Sequence, residues 1–466
     1  MKKTLKSLKD INKIHMIGIG GISMSAIALV LKKYGYIITG SDKSEGDMIS
    51  VLEENGIPVY IGSNAELVKD ADVVVYTSAI NQHDPEFVRA KSLNIPTYER
   101  AKFLGLLLEC YEKPICICGT HGKTTTTSMI SKIFIDAGLD PNIQVGSKFK
   151  TLNDLNYRIG ESEYFILESC EYVDSFLNFP HNTATVLNIE EDHLDYFSGI
   201  DEIKESFKKF ILMLPENGIL VINYDDVNCM DILSKVKDEL EKRNVTIYTF
   251  SLSEPEADVY AKNFSCNIKG FYSFDIVYKD KVQKIYLTVP GIHNVYDAIA
   301  AITTSLAHGI ELKQMEKSLN EFYGAKRRFE YKKTLKDNVL VYDDYAHHPT
   351  EIKATLAAAK QKKHNRIISV FQPHTFSRTK ELFDDFASCF GDSDIALITD
   401  IYAAREIDDG TINSQMLVDK LKQNGINAIY ISSFEDIAKY ITDNIQKDDI
   451  VLTIGAGNIT HLSELF

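Results

Sequence analysis

One run, Ile115–Ser128 (ICICGTHGKTTTTS), restricts what this chain can fold into more than any other stretch. Apolar residues stop abruptly at Gly119, and a second glycine, a lysine and four threonines open the next segment. That is the order of a strand, a phosphate loop and a helix. Gly119 and Gly122 let backbone N–H groups turn toward an anion, the helix start adds the positive end of its dipole, and Lys123 adds a full charge. Thr120, His121 and Thr125 belong to the same loop, and Thr124 offers a hydroxyl where such loops hold Mg²⁺. The loop is shorter than G-x-x-x-x-G-K-[ST], which would need glycine at Ile117. A plain turn is the alternative, but consecutive β-branched threonines are poor helix material. Phosphate and metal contacts are therefore expected to explain the run.

The chain before this loop carries a second glycine signature. Ile14–Gly20 reads as an apolar strand entering Gly18-x-Gly20-Gly21, with Ser23 where a third glycine would stand, then an apolar helix and a strand ending on Asp42. This is the dinucleotide-type fingerprint of a doubly wound unit, in which the glycines approach a diphosphate. Further strands follow at 57–61 and at ADVVVYTSAI, where Ser78 ends a buried run; the unit closes near Leu108. An unliganded doubly wound unit or a nicotinamide-binding domain would share these features.

After the phosphate loop, YFILE at 164–168 and ATVLNI at 184–189 read as buried strands that end in ESCEYVDSF and EEDHLDYF. Carboxylates and an imidazole at converging strand ends are plausible Mg²⁺ ligands. Residues 223–284 read as sheet edge and peripheral β structure with helical inserts. His293 and Asn294 precede an apolar helix, and Arg327 and Arg328 stand at a domain junction, where they could neutralise a transferring phosphoryl group. The last third restarts as α/β, with His347 and His348 after one strand, His374 and Arg378 after another, and Gly455-Ala-Gly457 after a third.

Length and charge narrow the class. The 466 residues suggest about three domains, and the 51 basic against 66 acidic residues argue against a nucleic-acid surface. No long apolar stretch follows the basic start, so neither a signal peptide nor a membrane span is expected, and a cytoplasmic location is. The seven cysteines include no C-x-x-C pair, and Cys116 and Cys118 read as reduced core thiols on one side of a strand.

Taken in order, GTHGKTTT from Gly119, NIEEDHLD from Asn188, His293-Asn294, Arg327-Arg328-Phe329, DDYAHHP from Asp343, FQPHTFSR from Phe371 and GAGN from Gly455 resemble the Mur ligases. These are ATP-dependent amino-acid ligases of peptidoglycan precursor synthesis, and the resemblance spans nearly the whole chain. It implies an α/β protein of three domains: a Rossmann-like UDP-sugar domain at 1–110, a central ATP-binding phosphate-loop domain at 111–324, and a Rossmann-like amino-acid domain at 325–466. The GIGG loop, the DDYAHHP box and the FQPHTFSR box look like the branch that joins L-alanine to the lactyl carboxylate of UDP-N-acetylmuramate through an acyl phosphate. The implied cofactors are ATP and Mg²⁺, and the implied state is a monomer or homodimer without membrane insertion.

Residue by residue, the resemblance implies that Lys123 contacts phosphates and that Thr124, Glu171 and His193 hold Mg²⁺, with Glu168 or Asp174 as alternative carboxylates. It implies that Asn294, Arg327 or Arg328, and Asp344 meet the nucleotide together with Gly119–Thr125. His347, His374 and Arg378 would line the amino-acid pocket, and Gly18, Gly20, Gly21 and Ser23 would cradle the UDP diphosphate, with Asp42 and Ser78 beside them. Asp297 stands where many relatives have asparagine. Lys208 lies near the spacing of a carbamylated lysine found in other branches, and no role is assigned to it. The rivals are a recycling ligase that takes a murein tripeptide, and a sensor that binds UDP-sugars without joining anything.

Overall fold

The computed structural model describes residues 5, 11–77, 79–404 and 406–466. They form three α/β layers in succession, each built on its own sheet. The first sheet is wholly parallel, with spatial order Val59–Ile61, Ile37–Asp42, Lys13–Ile17, Val73–Tyr76 and Thr97–Glu99. Order reverses on either side of Lys13–Ile17, so the glycine loop after that strand opens at a topological switch point, where ligands of such sheets bind.

The second sheet has ten strands. Lys113–Cys118 lies inside it, paired in parallel with Thr183–Val186 on one side and Tyr164–Glu168 on the other. Its alternation sorts the core: Ile115 and Ile117 pack with Met129, Ile130 and Ile133 of the following helix, while Cys116 and Cys118 join Phe165, Leu167 and Phe207 on the opposite face. Both cysteines are fully buried free thiols, and burial raises each thiol pKa, that of Cys116 to about 12.

The region expected to be sheet edge with helical inserts forms one border of this sheet. Ile219–Asn223, Thr246–Ser251 and Val259–Cys266 extend the parallel run around the helix Val227–Lys242, and Phe271–Tyr278 and Lys281–Pro290 close the border with antiparallel pairing. The helices Lys123–Asp136 and His293–Ala307 cover the phosphate-loop face, their contact permitted by the buried Ala298, Ala300 and Ala301.

The third sheet orders Glu330–Leu335, Val339–Asp344, Ile450–Ile454, Ile367–Phe371, Ile395–Ile398 and Ala428–Tyr430, parallel except for the first pair. Among the described residues, no helix is long and apolar enough to cross a membrane.

Candidate active site

The phosphate loop is held open by its sequence. Gly122 caps the helix with φ 82°, and a Cβ there would meet Asp297 Oδ1 at 2.3 Å; Gly119, at φ 143°, would meet Leu187 Cβ at 2.9 Å. Asn188 clasps the loop from the neighbouring strand end. Its Oδ1 accepts the His121 N–H at 2.8 Å, its Nδ2 donates to the His121 carbonyl at 3.1 Å, and its own carbonyl accepts the Thr120 N–H at 3.1 Å. Sequence reasoning quoted Asn188 only as the start of a motif; its position at the strand end beside the loop is the signal that could have placed it.

Lys123 curls over this loop. Its ammonium donates to the carbonyls of Gly119 and Thr120 and lies 3.0 Å from a carboxylate oxygen of the buried Glu171. Burial opposes the charge, but Glu171 outweighs it and raises the lysine pKa. Thr124 donates to Glu168 Oε1 at 2.8 Å and stands 3.4 Å from Arg328 Nη2. Thr126 donates to Asp297 at 3.1 Å, and Thr126 and Thr127 are fully buried against the sheet. Thr125 borders the cavity described below and Thr124 meets Glu168 and Arg328, whereas Thr127 is packed into the core and Thr126 is packed with its hydroxyl on Asp297. Asp174 points elsewhere, accepting from Tyr196 at 2.9 Å and from Ser206. Lys208 pairs with Glu205 at 3.1 Å.

His193 takes a left-handed backbone, φ 55°, and stacks on Tyr172 at 4.5 Å. Burial lowers its pKa, partly offset by Asp192 and Glu171. The neighbouring Asp192 accepts the His193 N–H at 2.7 Å and Arg378 Nη2 at 3.1 Å, so it ties the second layer to the third.

A cavity of about 370 Å³ lies between these layers. His121, Thr125, Asn294, Asp297, Arg328 and Asp344 are among its walls. Asn294 is buried and donates to the Pro290 carbonyl at 2.6 Å. Arg327 is absent from this wall. Its own backbone is left-handed at φ 58°, and its guanidinium donates to the carbonyls of Gly455 at 2.5 Å and Gly457 at 3.2 Å, so of the two adjacent arginines only Arg328 borders the cavity. Asp344 accepts the N–H groups of Phe329 and Ala346, each at 2.8 Å; burial nevertheless pushes its pKa up to about 6.

His121 joins the layers. Its ring lies 3.4 Å from Glu190 on its own layer and 3.4 Å from Glu351 on the third. Burial works against its charge, yet the two carboxylates raise its pKa to about 9. His121, Glu190 and His348 bring ligand-type atoms within 4.8 Å of one another. His348, however, accepts the Thr350 N–H at Nδ1 and faces the Glu191 carbonyl through Nε2 at 3.2 Å. Neither of its nitrogens is free for a metal.

A second cavity, about 380 Å³, opens beside Asp192, His193, His374, Arg378, Glu381 and Glu406. Arg378 Nη1 lies 3.3 Å from His374 Nδ1, which must then accept, and burial with Arg378 lowers the His374 pKa to about 4. Glu406 fixes this edge by accepting the N–H groups of Phe376 and Ser377 at 2.6 and 3.0 Å. His347 is nearby, its ring 6.0 Å from that of His374.

A third cavity, about 450 Å³, is walled by Gly18, Gly20, Gly21, Ser41, Asp42 and Thr77 in the first layer. Asp42 accepts the Gly20 N–H at 2.8 Å. Ser23 is turned to the next layer, where Gln144 donates to it at 2.5 Å. Ser78 lies outside the described residues. Beneath this cavity, the fully buried Glu86, unnoticed in the sequence, accepts from His15 at 2.8 Å and Ser41 at 2.7 Å.

The sequence matches the Mur ligase family, catalytic domain, over residues 13–111, the Mur ligase middle domain over 117–305, and the Mur ligase, glutamate ligase domain over 327–457. It is 46% identical over 464 residues, 99% of this chain and 97% of the relative, to the UDP-N-acetylmuramate–L-alanine ligase of Acetivibrio thermocellus. The chain is a Mur ligase. A similar relative, of the same printed name, occurs in Clostridium novyi, at 46% identity over 461 residues and 98% of each chain. Among solved structures, the UDP-N-acetylmuramate–alanine ligase of Thermotoga maritima superposes with a TM-score of 0.80 at 28% identity, covering 97% of each chain. A murein peptide ligase from Psychrobacter arcticus shares the fold, with TM-score 0.71 at 24% identity over 97% of each chain. Of the cavities described above, this Mur ligase carries one in the first layer and two between the second and third.

Proposed function

We propose that this Mur ligase joins L-alanine to the lactyl carboxylate of UDP-N-acetylmuramate with cleavage of ATP to ADP and phosphate. The observation that carries the reading is identity of 46% to a ligase of that name across essentially the whole chain, the amino-acid end included. The division of labour follows the layers: residues 1–110 hold the UDP-sugar, 111–324 the ATP, and 325–466 the amino acid.

The geometry supports a two-step chemistry. The lactyl carboxylate attacks the γ-phosphorus, and charge grows on phosphoryl oxygens; Lys123 and Arg328 are the cations beside the loop that would meet it. Alanine's amine then attacks the acyl phosphate carbonyl, and phosphate leaves. Arg378, with His374 as neutral partner, provides a fixed fork for alanine's carboxylate, and the enclosing walls hold the amine at the reacting carbon.

Magnesium fits the residues present. The buried Glu171 carboxylate, the Thr124 hydroxyl with Glu168 behind it, and the His193 imidazole provide oxygen and nitrogen donors at adjoining strand ends. A bound Mg²⁺ would supply charge neutralisation and orientation of phosphate oxygens. Lys123 faces the same Glu171 carboxylate at 3.0 Å.

The deciding experiment is ADP release by purified protein given ATP, Mg²⁺ and UDP-N-acetylmuramate, with L-alanine or a murein tripeptide as acceptor. Release that depends on alanine is expected. Turnover with tripeptide alone would overturn the reading in favour of a recycling ligase.

A further inference from the structure

The carboxylate of Glu351 borders the nucleotide cavity and reaches the turn at His347, whose ring lies 6.0 Å from that of His374 at the amino-acid pocket. It is the third residue of the helix Pro349–Lys360, where it completes a capping box with His348. Oε2 accepts the N–H groups of His347 at 3.0 Å and His348 at 3.3 Å, and the ring Nδ1 of His347 is 3.3 Å away. Oε1 faces the other way, 3.4 Å from His121 Nδ1 in the phosphate loop and 3.9 Å from Arg328 Nη1. One side chain therefore touches the loop, the arginine beside Thr124, and the turn that carries His347.

Capping alone explains neither the charge nor its placement. Glutamine completes a capping box as well as glutamate does, whereas a carboxylate removed from water is costly unless cations surround it. Only 13% of this side chain is exposed, and its cations come from two layers. His348 spans the same seam through the Glu191 carbonyl, and Thr350 reaches Glu190 at 3.1 Å, so the helix start is already docked and Glu351 is not needed to attach it.

We propose that Glu351 is a positioning residue that couples occupancy of the nucleotide cavity to the geometry of the amino-acid pocket. The inference rests on the reading above that the two cavities take ATP and L-alanine. Phosphates arriving at the loop draw on His121 and Arg328, the same cations that hold Oε1. Because Oε2 is fixed to the turn at His347 and His348, a shift of that carboxylate moves His347 relative to His374 and Arg378. Each ligand then changes the other's affinity by the same factor, as linkage requires.

The test measures L-alanine binding by calorimetry with and without a non-hydrolysable ATP analogue and Mg²⁺, in the full-length protein and in Glu351→Gln. The glutamine keeps the cap and the volume and removes the charge. In the unaltered protein the analogue should change alanine affinity by about fivefold or more, and in Glu351→Gln that ratio should fall toward one. Glu351→Asp, which keeps the charge, should retain more of the ratio than Glu351→Gln. A purely structural role would weaken binding in both conditions alike and leave the ratio unchanged, which would overturn the inference; so would a ratio of one in the unaltered protein. Failure of the unaltered protein to bind alanine or to release ADP with it would instead overturn the proposed function.

Discussion

The ammonium of Lys123 is folded onto its own loop, where it satisfies two carbonyls and one buried carboxylate. A nucleotide's phosphates would replace those partners, so Lys123→Ala should remove transition-state stabilisation and leave the first layer untouched. Acyl-phosphate formation, followed by positional isotope exchange or ADP release, should fall by roughly a thousandfold or more, with UDP-N-acetylmuramate affinity near normal. Near-normal turnover would sink the loop assignment. Asp297 invites a different measurement. Burial pushes its pKa up to about 7, above the value in an unfolded chain, with Thr126 and Arg328 opposing the rise. The native state therefore binds this proton more tightly, and the stability it contributes below the unfolded pKa is lost as pH rises toward about 7. Asp297→Asn, which cannot ionise, should melt higher than the parent by a margin that widens between about pH 4 and about pH 7 and levels off above that. A margin independent of pH would show that Asp297 does not titrate in that window.

At the scale of elements, the residues 324–330 that join the second and third sheets separate two neighbouring arginines by backbone conformation. Left-handed residues at Arg327 and Phe329, with Arg328 between them, send one guanidinium to the Gly455 turn and the other to the nucleotide cavity. Arg327→Ala should lower thermal stability by about 2–4 kcal/mol and spare nucleotide binding, since it removes the cation beside the buried Asp343, 3.3 Å away, and the donor to two carbonyls, while Arg328→Ala should lose turnover. Turnover retained in Arg328→Ala, or nucleotide affinity lost equally in the two variants, would contradict this division. A sequence cannot separate such a pair, because identical adjacent residues carry no local pattern and φ is set by the turn around them. The strands that end in glycines were legible, because apolar runs stopping at glycine have few other meanings. The threonine run was misjudged as a whole, since poor helix propensity signals a constraint without saying whether ligand or packing supplies it; burial of Thr126 and Thr127 answers that. Asn188 and Glu351 act through strand ends and helix caps brought together by topology, and only the folded chain juxtaposes them.

Across the whole molecule, Glu190, Glu191 and Asp192 in turn reach the third layer, through Thr350, His348 and Arg378. Three consecutive residues thus form a polar seam beside the two cavities between these layers, and polar seams of this kind open more readily than apolar ones because water can replace each partner. Asp192 is the buried member, and burial opposes its charge while His193 and Arg378 hold its carboxyl well below the usual range. Asp192→Asn removes the charge and leaves Arg378 with His374 as its remaining close partner at this edge. Loss of one partner of a buried pair typically costs about 3–5 kcal/mol, and here that cost falls on the closed arrangement, because the open one returns Arg378 to water. The variant should therefore populate a more open molecule, with a larger radius of gyration by small-angle scattering and a kcat/KM for alanine lower by about tenfold or more. UDP-N-acetylmuramate binding, proposed for the first layer, should not change. An unaltered radius together with unaltered alanine kinetics would mean that the seam's stability lies in the Glu190 and His348 contacts, and that Arg378 is held by the amino-acid pocket alone.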